Sequence, residues 1–512
     1  MMRPAAAMST LPLLALLGCA SQDDYTVVTV SNRPAVHDVA KLSVTLTNAG
    51  SMRTDELALD GKAFPVTFAL TAPDRDGDLT IAIDALDAAG LLVGRGNATT
   101  TVASPTAAVM LDTADFVVNT EFAGDQFPSS DFESHGFQVA AGSGGTWTAV
   151  FRDGCATPCN MFGRRFDAAG RPVETRVAAS ANQFAFTTNL TGSIATPAIA
   201  TAGSTTMAVW DFDDPNSTTT GIACRSIDAQ GMAIPDQLDL ANDTVTDVTS
   251  ITPLSTGNFA VTWNAFLTSS VIRTVIARPD CTVFSGSLQT SNVGTASVHR
   301  SAIAASGTPS NLMSAWIADG SVRFRIADAI NTTVVADTLL LAKPASGIEA
   351  AEYVRLAPFG SGFAVAVRWA STMTPGTGRI DLYRTTPTGS IMGPALMVTD
   401  KAGAEFASKQ GFGIATRADG VVMVVWHACA ENGDGDDCGV FGRAINPDGS
   451  FVGPAFVVPT TTKGAQTSPS VAALGDSFVV VWRDLSADEP DHAGAAVRAR
   501  IVYPSAAPAS GM

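Results

Sequence analysis

One hydrophobic pattern recurs seven times along the chain. Each copy joins a small or polar turn to apolar positions that alternate up to a bulky end residue. The copies are Thr146 to Phe151, Thr206 to Trp210, Asn258 to Trp263, Leu312 to Trp316, Gly362 to Val367, Val421 to Trp426 and Ser477 to Trp482. Their end residues lie 59, 53, 53, 51, 59 and 56 positions apart. Period-two alternation predicts strands, and near-equal steps predict a repeat architecture. A further short strand precedes the shared one, as in Pro197 to Thr201 and Pro469 to Ala473. Downstream comes an Arg-bearing strand running into a tight turn, as in Arg165 to Gly170, Arg225 to Gly231 and Arg443 to Gly449. An Asp or Asn followed by Gly in these stretches is a turn signal. A fourth strand follows, as in Gln237 to Leu240 and Ala455 to Val458. Four short strands per repeat describe the blade of a β-propeller.

The last repeat runs out after Arg500 before its fourth strand, while Phe116 to Thr120 precedes the first and matches Phe456 to Thr460. This early segment is expected to complete the last blade and remove two open sheet edges. Residues 116–504 thus predict seven blades, with six or eight as alternatives because the fourth and fifth copies are degenerate. Residues 26–112 carry a different pattern, with strands at Val39 to Thr47, Phe64 to Leu70, Leu79 to Leu86 and Ala107 to Leu111. Their spacing suits an Ig-like β-sandwich. The fold class is all-β: an N-terminal Ig-like β-sandwich followed by a seven-bladed β-propeller, with a disordered tail at 505–512.

The seven Trp all fall in or beside the repeat strands. Such strict recurrence favours packing between blades over a glycan platform. Trp147 and Trp369 depart from the shared position and are the candidates for exposed aromatics.

Composition sharpens the picture. Charged residues are 15% of the chain, against roughly 25% in an average soluble domain, as many short buried strands require. Net charge is −17. A nucleic-acid binder needs a basic footprint, and this chain lacks one.

Residues 1–18 read as a secretory signal, with Arg3 in the charged region and a short apolar run from Leu11 to Leu17. The run is too short to span a bilayer, which takes about 20 residues. It ends Leu16-Leu17-Gly18-Cys19, which resembles the lipobox of bacterial lipoproteins. The resemblance implies cleavage before Cys19, lipidation of that residue, a tether over 19–25 and a place in the cell envelope. Ala20 after the Cys favours the outer membrane, periplasmic or surface-facing. Seven Cys less Cys19 leave an even number in an oxidising compartment. Cys155 with Cys159 and Cys429 with Cys438 are close enough to close local loops; Cys224 and Cys281 remain, the least determined pair.

Together, Cys19 and the recurring strand-Trp, Arg and Asp-x-x-Gly elements resemble repeat-built β-propeller surface lipoproteins of Gram-negative bacteria, including myxobacterial ones. That resemblance implies an architecture and carries no catalytic residues.

Loops after the second strand of each blade gather on one face of a propeller, and here they are acidic: Asp211, Asp213 and Asp214; Glu431, Asp434, Asp436 and Asp437; Asp484, Asp488, Glu489 and Asp491. Such a face suits cationic ligands, a protein or glycan partner, or calcium at Asp434 and Asp436. The alternation of acid and Gly from Asn432 to Asp437 fails the EF-hand pattern, and a solvated turn is the plainer reading. Asp74 to Asp78 has the same character. Five His are scattered; His427 and His492 fall on the acidic face as candidate ligands or bases. H-E-x-x-H, G-x-S-x-G, phosphate-cradling Gly loops and sialidase-type Asp boxes are all missing. A binding or adhesion module acting through the acidic loops is therefore expected first, an envelope scaffold second, and a polysaccharide hydrolase or lyase third.

Overall fold

The computed structural model describes residues 25–71, 75–119, 137–152, 161–173, 183–186, 193–213, 220–229, 231–241, 245–266, 269–291, 298–374, 376–399, 404–405, 411–429, 433–488 and 494–504. The chain divides into two compact units, Met1–Asp112 and Thr113–Met512. Apart from one short 3-10 turn, every element among the described residues is a strand.

The first unit holds β1 (Tyr25–Asn32), β2 (Lys41–Asn48), β3 (Ser51–Ala58), β4 (Val66–Thr71), β5 (Asp78–Leu86), β6 (Leu92–Thr101) and β7 (Thr106–Thr113). They are ordered β3-β2-β5-β6-β7-β1-β4. β1 lies parallel to β7 and antiparallel to β4. Alternation sets the core: Leu79, Ile81, Ile83 and Ala85 of β5 point inward and pack with Val28, Val30, Leu42, Val44, Val109 and Leu111. Of these strands, β1, β3 and β6 fall outside the four that the sequence pattern places.

The second unit is a ring of seven antiparallel sheets. It opens with β8 (Phe116–Val117). Blade one is β9 (Phe137–Ala141), β10 (Trp147–Arg152), β11 (Met161–Phe166) and β12 (Gln183–Ala185). Blade two is β13 (Ser193–Ala202), β14 (Thr205–Asp213), β15 (Thr220–Ile227) and β16 (Ala233–Ala241). Blade three is β17 (Val245–Pro253), β18 (Phe259–Phe266), β19 (Ser270–Ala277) and β20 (Val283–Gln289). Blade four is β21 (Val298–Ser306), β22 (Asn311–Ala318), β23 (Ser321–Ala327) and β24 (Thr333–Leu341). Blade five is β25 (Glu349–Phe359), β26 (Gly362–Ser371), β27 (Thr377–Thr385) and β28 (Leu396–Met397), with β29 (Ala404–Glu405) also on β27. Blade six is β30 (Phe412–Thr416), β31 (Val422–Ala428), β32 (Gly439–Ile445) and β33 (Phe456–Val457). Blade seven is β34 (Gln466–Leu474), β35 (Ser477–Asp484) and β36 (Ala496–Val502), and β8 is its fourth strand, with Val117 opposite Arg498. First strands lie side by side around the centre, and β34 meets β9 to close the ring.

Second strands are sandwiched between neighbouring blades, so both their faces are apolar. All positions of β10, β31 and β35 are buried. One apolar cluster joins Met207, Val209 and Cys224 of blade two to Phe259, Val261 and Trp263 of blade three. Equivalent clusters join blades four to five, five to six and six to seven. Trp147 and Trp369 prove as buried as the other five, at 0% and 3% exposure. Trp147 stacks on Phe166 with ring centroids 4.1 Å apart. Neither is an exposed aromatic, because both faces of a second strand are covered.

The recurring Arg acts as a latch between blades. Arg225, Arg443 and Arg500 donate to the carbonyls of Phe186, Val398 and Val458, each just past the outer strand of the preceding blade. Arg164 does the same to Val118, whose strand belongs to blade seven. The sequence repeat aligns Arg165 with Arg225 and Arg443. Successive strand residues face opposite ways, and Arg165 instead reaches forward to the carbonyls of Asp228 and Ala229 in the next blade's turn. Arg384 reaches forward likewise, to Pro447. The turns must be bare where these side chains lie: a Cβ on Gly449 (φ +93°) would sit 2.6 Å from the Arg384 guanidinium.

Two disulfides lie within the described residues. Cys429–Cys438 closes a loop of blade six, and Cys224–Cys281 ties blade two to blade three. Cys155 and Cys159 lie outside the described residues, as do Cys19 and the signal segment.

Candidate functional site

In an antiparallel blade the end of the second strand lies beside the start of the first. There the inner strands share an irregularity. Register slips between Ala195 and Ala198, Asp247 and Ser250, His299 and Ala302, Ala351 and Tyr353, and Thr467 and Ser470. Bulges of this kind re-aim side chains and bend a strand. Next to them, the residue after the bulky end residue of the repeat is polar in six of seven blades: Arg152, Asp211, Asn264, Arg368, His427 and Arg483. Most of these are buried, at 0% for His427 and 2% for Arg368. His427 of blade six accepts through Nδ1 from the backbone N–H of Ser468 in the blade-seven bulge, at 3.3 Å. Arg368 donates to Glu352 of the bulge in its own blade, at 2.5 Å. Burial, reinforced by the Arg368 charge, pushes the His427 pKa down to about 3. His427 is thus an interior blade-to-blade contact and not a surface ligand or base. His492 lies outside the described residues.

The acidic loops look different once their partners are seen. Asp484 is interior, its side chain 1% exposed. It accepts from Arg498 Nε at 2.8 Å, and also from Gln466 and Ser486. Arg498 in turn holds Asp115 at 3.2 Å, whose carboxylate caps the N–H groups of Thr460 and Thr461 at 2.9 Å. This network pins the segment before β8 into the last blade, so Asp484 is a closure residue and not part of a ligand face. Asp488 pairs with Lys463 at 3.1 Å. Asp211 lies within β14 and is half-buried. The side chain of Asp213 and all of Asp214, Glu431, Asn432, Glu489 and Asp491 lie outside what is described, as does Asp74.

Asp436 and Asp437 remain exposed, and Asp434 is half-buried against Gly439, where a Cβ would meet its carboxyl at 2.7–2.9 Å. Burial raises the Asp434 pKa, as do the neighbouring Asp436 and Asp437 charges. Asp436 turns its carboxylate to the N–H of Gly464 at 3.0 Å. Among the described residues, no three His, Cys, Asp or Glu side chains converge to hold a metal ion.

Just beyond the bulges the channel holds a cavity of about 160 Å³. Six blades line it: Gln138 of blade one, Ser250 of three, Ile303 of four, Arg355 and Leu356 of five, Phe412 to Ile414 of six, and Pro469 to Val471 of seven. Arg355 is its one ionisable lining group. The guanidinium lies over the Phe412 ring, 5.6 Å from the centroid, and donates to the Val354 carbonyl at 3.1 Å. Ser250 Oγ accepts from the Ile303 N–H at 3.3 Å. Repeat reasoning missed this site, because it placed first strands such as Pro469 to Ala473 without bringing their residues together. Only the bulge-prone Pro469-Ser470 and the isolated Arg355 between apolar residues mark it in the sequence.

A seven-bladed propeller with a polar-edged channel cavity is the class that fold and site define. No protein-family model matches the chain, and no curated protein matches it. Among solved structures it is similar to a leech intramolecular trans-sialidase, at 10% identity over 94% of this chain and 93% of that one, with a TM-score of 0.40. A NanB sialidase from Streptococcus pneumoniae gives 9% identity over 94% and 95%, with a TM-score of 0.39. A Penicillium chrysogenum α-L-arabinanase gives 12% over 60% and 92%, with a TM-score of 0.38. Likeness at this level transfers no activity, substrate or residue role.

Proposed function

We propose that the protein is an extracytoplasmic binding module, lipid-anchored through Cys19, that takes its ligand in the propeller channel. The cavity carries this reading: inner strands of six blades converge on one concave site, lined by the polar groups of Gln138, Ser250, Arg355 and Ser470 together with apolar side chains, and convergent polar groups in a concavity are what orient a ligand. Its lining offers an amide, hydroxyls and a guanidinium. These groups bind and orient; the carboxylates and imidazoles that move protons near neutral pH are not among the lining residues. The two disulfides support an oxidising compartment. The Leu16 to Cys19 segment supports an outer-membrane anchor. On this reading residues 26–112 are an Ig-like spacer, and the exposed Asp436 and Asp437 edge the ring without forming the ligand site.

The experiment is thermal stabilisation of the full chain by a panel of envelope glycan fragments, small carboxylic acids and basic peptides. At least one class should stabilise it saturably, and Leu356→Trp, which fills the cavity, should abolish the effect. Stabilisation by no member, or stabilisation untouched by Leu356→Trp, contradicts the reading.

A further inference from the structure

We infer that the first unit carries a self-pairing edge, where a second copy of this chain docks, strand β4 against strand β4, about a two-fold axis through Ala69. The surface is independent of the channel reading. The strands of that unit run from β3 at one end to β4 at the other. β3 is guarded by charge: Arg53 pairs with Asp55, and Glu56 with Lys41 of β2. Charged edge strands resist further pairing. β4 has no charged residue and no bulge, since its register with β1 runs uninterrupted from Val66 to Thr71. Among the described residues it pairs with β1 alone.

Main-chain direction fixes what this edge offers. The Val27 N–H donates to the Pro105 carbonyl and the Arg33 N–H to that of Leu111, each at 2.9 Å. Odd-numbered residues of β1 therefore face β7, and Thr26, Val28 and Val30 face Leu70, Phe68 and Val66 of β4. Main-chain groups of alternate strand residues point to opposite sides, so Thr67, Ala69 and Thr71 turn their N–H and C=O groups to the open edge. Their side chains are exposed, whereas Val66, Phe68 and Leu70 are half-buried on the core. The outward triplet, Thr-Ala-Thr, reads the same in both directions. Antiparallel pairing about Ala69 thus sets Ala69 opposite its copy and Thr67 opposite Thr71. Each facing pair exchanges two hydrogen bonds, and Thr–Thr pairs stabilise a ladder. On the core side Phe68 meets the copy's Leu70. Charge allows the same occupant. Two chains of −17 repel, but at physiological salt that repulsion is screened beyond about 8 Å, so the contact itself is what must be neutral. Beside β4 the same face of β1 and β7 presents only Tyr25, Val27, Thr29, Thr106, Ala108 and Met110 around the triplet.

One strand edge is small beside a standard interface of about 1,600 Å², so the association is reversible and the test traps it. Directly opposed residues of a hydrogen-bonded pair have Cα atoms about 5.5 Å apart, within reach of a disulfide. Ala69→Cys in the full chain, mildly oxidised, should therefore run mostly as a dimer on a non-reducing gel. Thr71→Cys should stay monomeric, because its copy would lie about 14 Å along the ladder. An equal mixture of Thr67→Cys and Thr71→Cys should cross-link. Adding Ala69→Lys to both should abolish that link, by setting two like charges opposite each other. All three positions are exposed, and the melting temperatures should be unchanged. A monomeric Ala69→Cys chain, the result if β4 serves a strand of another protein or none, overturns the pairing. So does Thr71→Cys cross-linking as fully as Ala69→Cys, or a mixed link that survives Ala69→Lys.

Discussion

His427 should make the propeller acid-sensitive by a calculable amount. The imidazole is fully buried, takes the Ser468 N–H on Nδ1 and lies near the Arg368 charge. Its pKa falls from 6.5 to about 3 in the folded state. Below pH 6.5 the unfolded chain binds a proton that the folded chain refuses. The stabilisation is fully present above pH 6.5 and is lost as pH falls toward 3, at about 1.4 kcal/mol per pH unit. From pH 6.5 to 5 the loss is therefore roughly 2 kcal/mol. His427→Gln is the comparison, since its Oε1 can accept the same N–H but does not titrate. The assay is urea unfolding at pH 7.5, 6.5 and 5, followed by tryptophan emission; all seven Trp lie in the propeller, so the signal reports that unit. Buried carboxylates such as Asp381 and Asp484, whose pKa values burial raises, act in the opposite direction in both proteins and cancel. Any fixed cost of the substitution is pH-independent, and the gap between the two proteins should shift by about 2 kcal/mol in favour of the variant at pH 5. Parallel curves from pH 7.5 to 5 would refute a buried neutral imidazole.

Ring closure gives a second expectation. Arg498→Leu leaves Asp484 and Asp115 as buried carboxylates without their cation, which should cost about 3–5 kcal/mol in urea unfolding; a loss under 1 kcal/mol would mean the network does not hold the closing strand. The disulfides should differ in weight. Cys224 and Cys281 are 57 residues apart and Cys429 and Cys438 only 9, so loop-entropy arguments give about 4 and about 2.5 kcal/mol respectively. Paired Cys→Ser variants compared by denaturant midpoint should keep that order, and a reversed order would show that chain entropy is not what these bonds supply.

The repeat, the all-β class and the closing role of Phe116 were legible because each rests on local alternation and on a step that recurs. The turn residues were equally plain, since Asp167, Asp228 and Asp448 cap their own hairpins within a few positions. What the pattern could not reveal was pairing across the ring. Asp484 reads as a loop acid until Arg498 and Asp115 are placed beside it, and Asp115 lies hundreds of residues away in the chain. His427 reads as a surface residue because its N–H partner, Ser468, belongs to another blade. Trp147 and Trp369 stand off the shared repeat position, yet both are buried, because neighbouring blades cover both faces of the second strand along its length. The channel cavity was invisible for a related reason: each contributing inner strand supplies one to three residues, and only the closed ring brings Arg355, Phe412, Gln138 and Ser470 together.

That the channel cavity is the ligand site is tested most directly by a crystal structure of the full chain with a stabilising member of the panel. Density for that compound among Ser250, Leu356 and Ser470, which line the cavity, is the predicted result. The compound bound only elsewhere on the chain would contradict it.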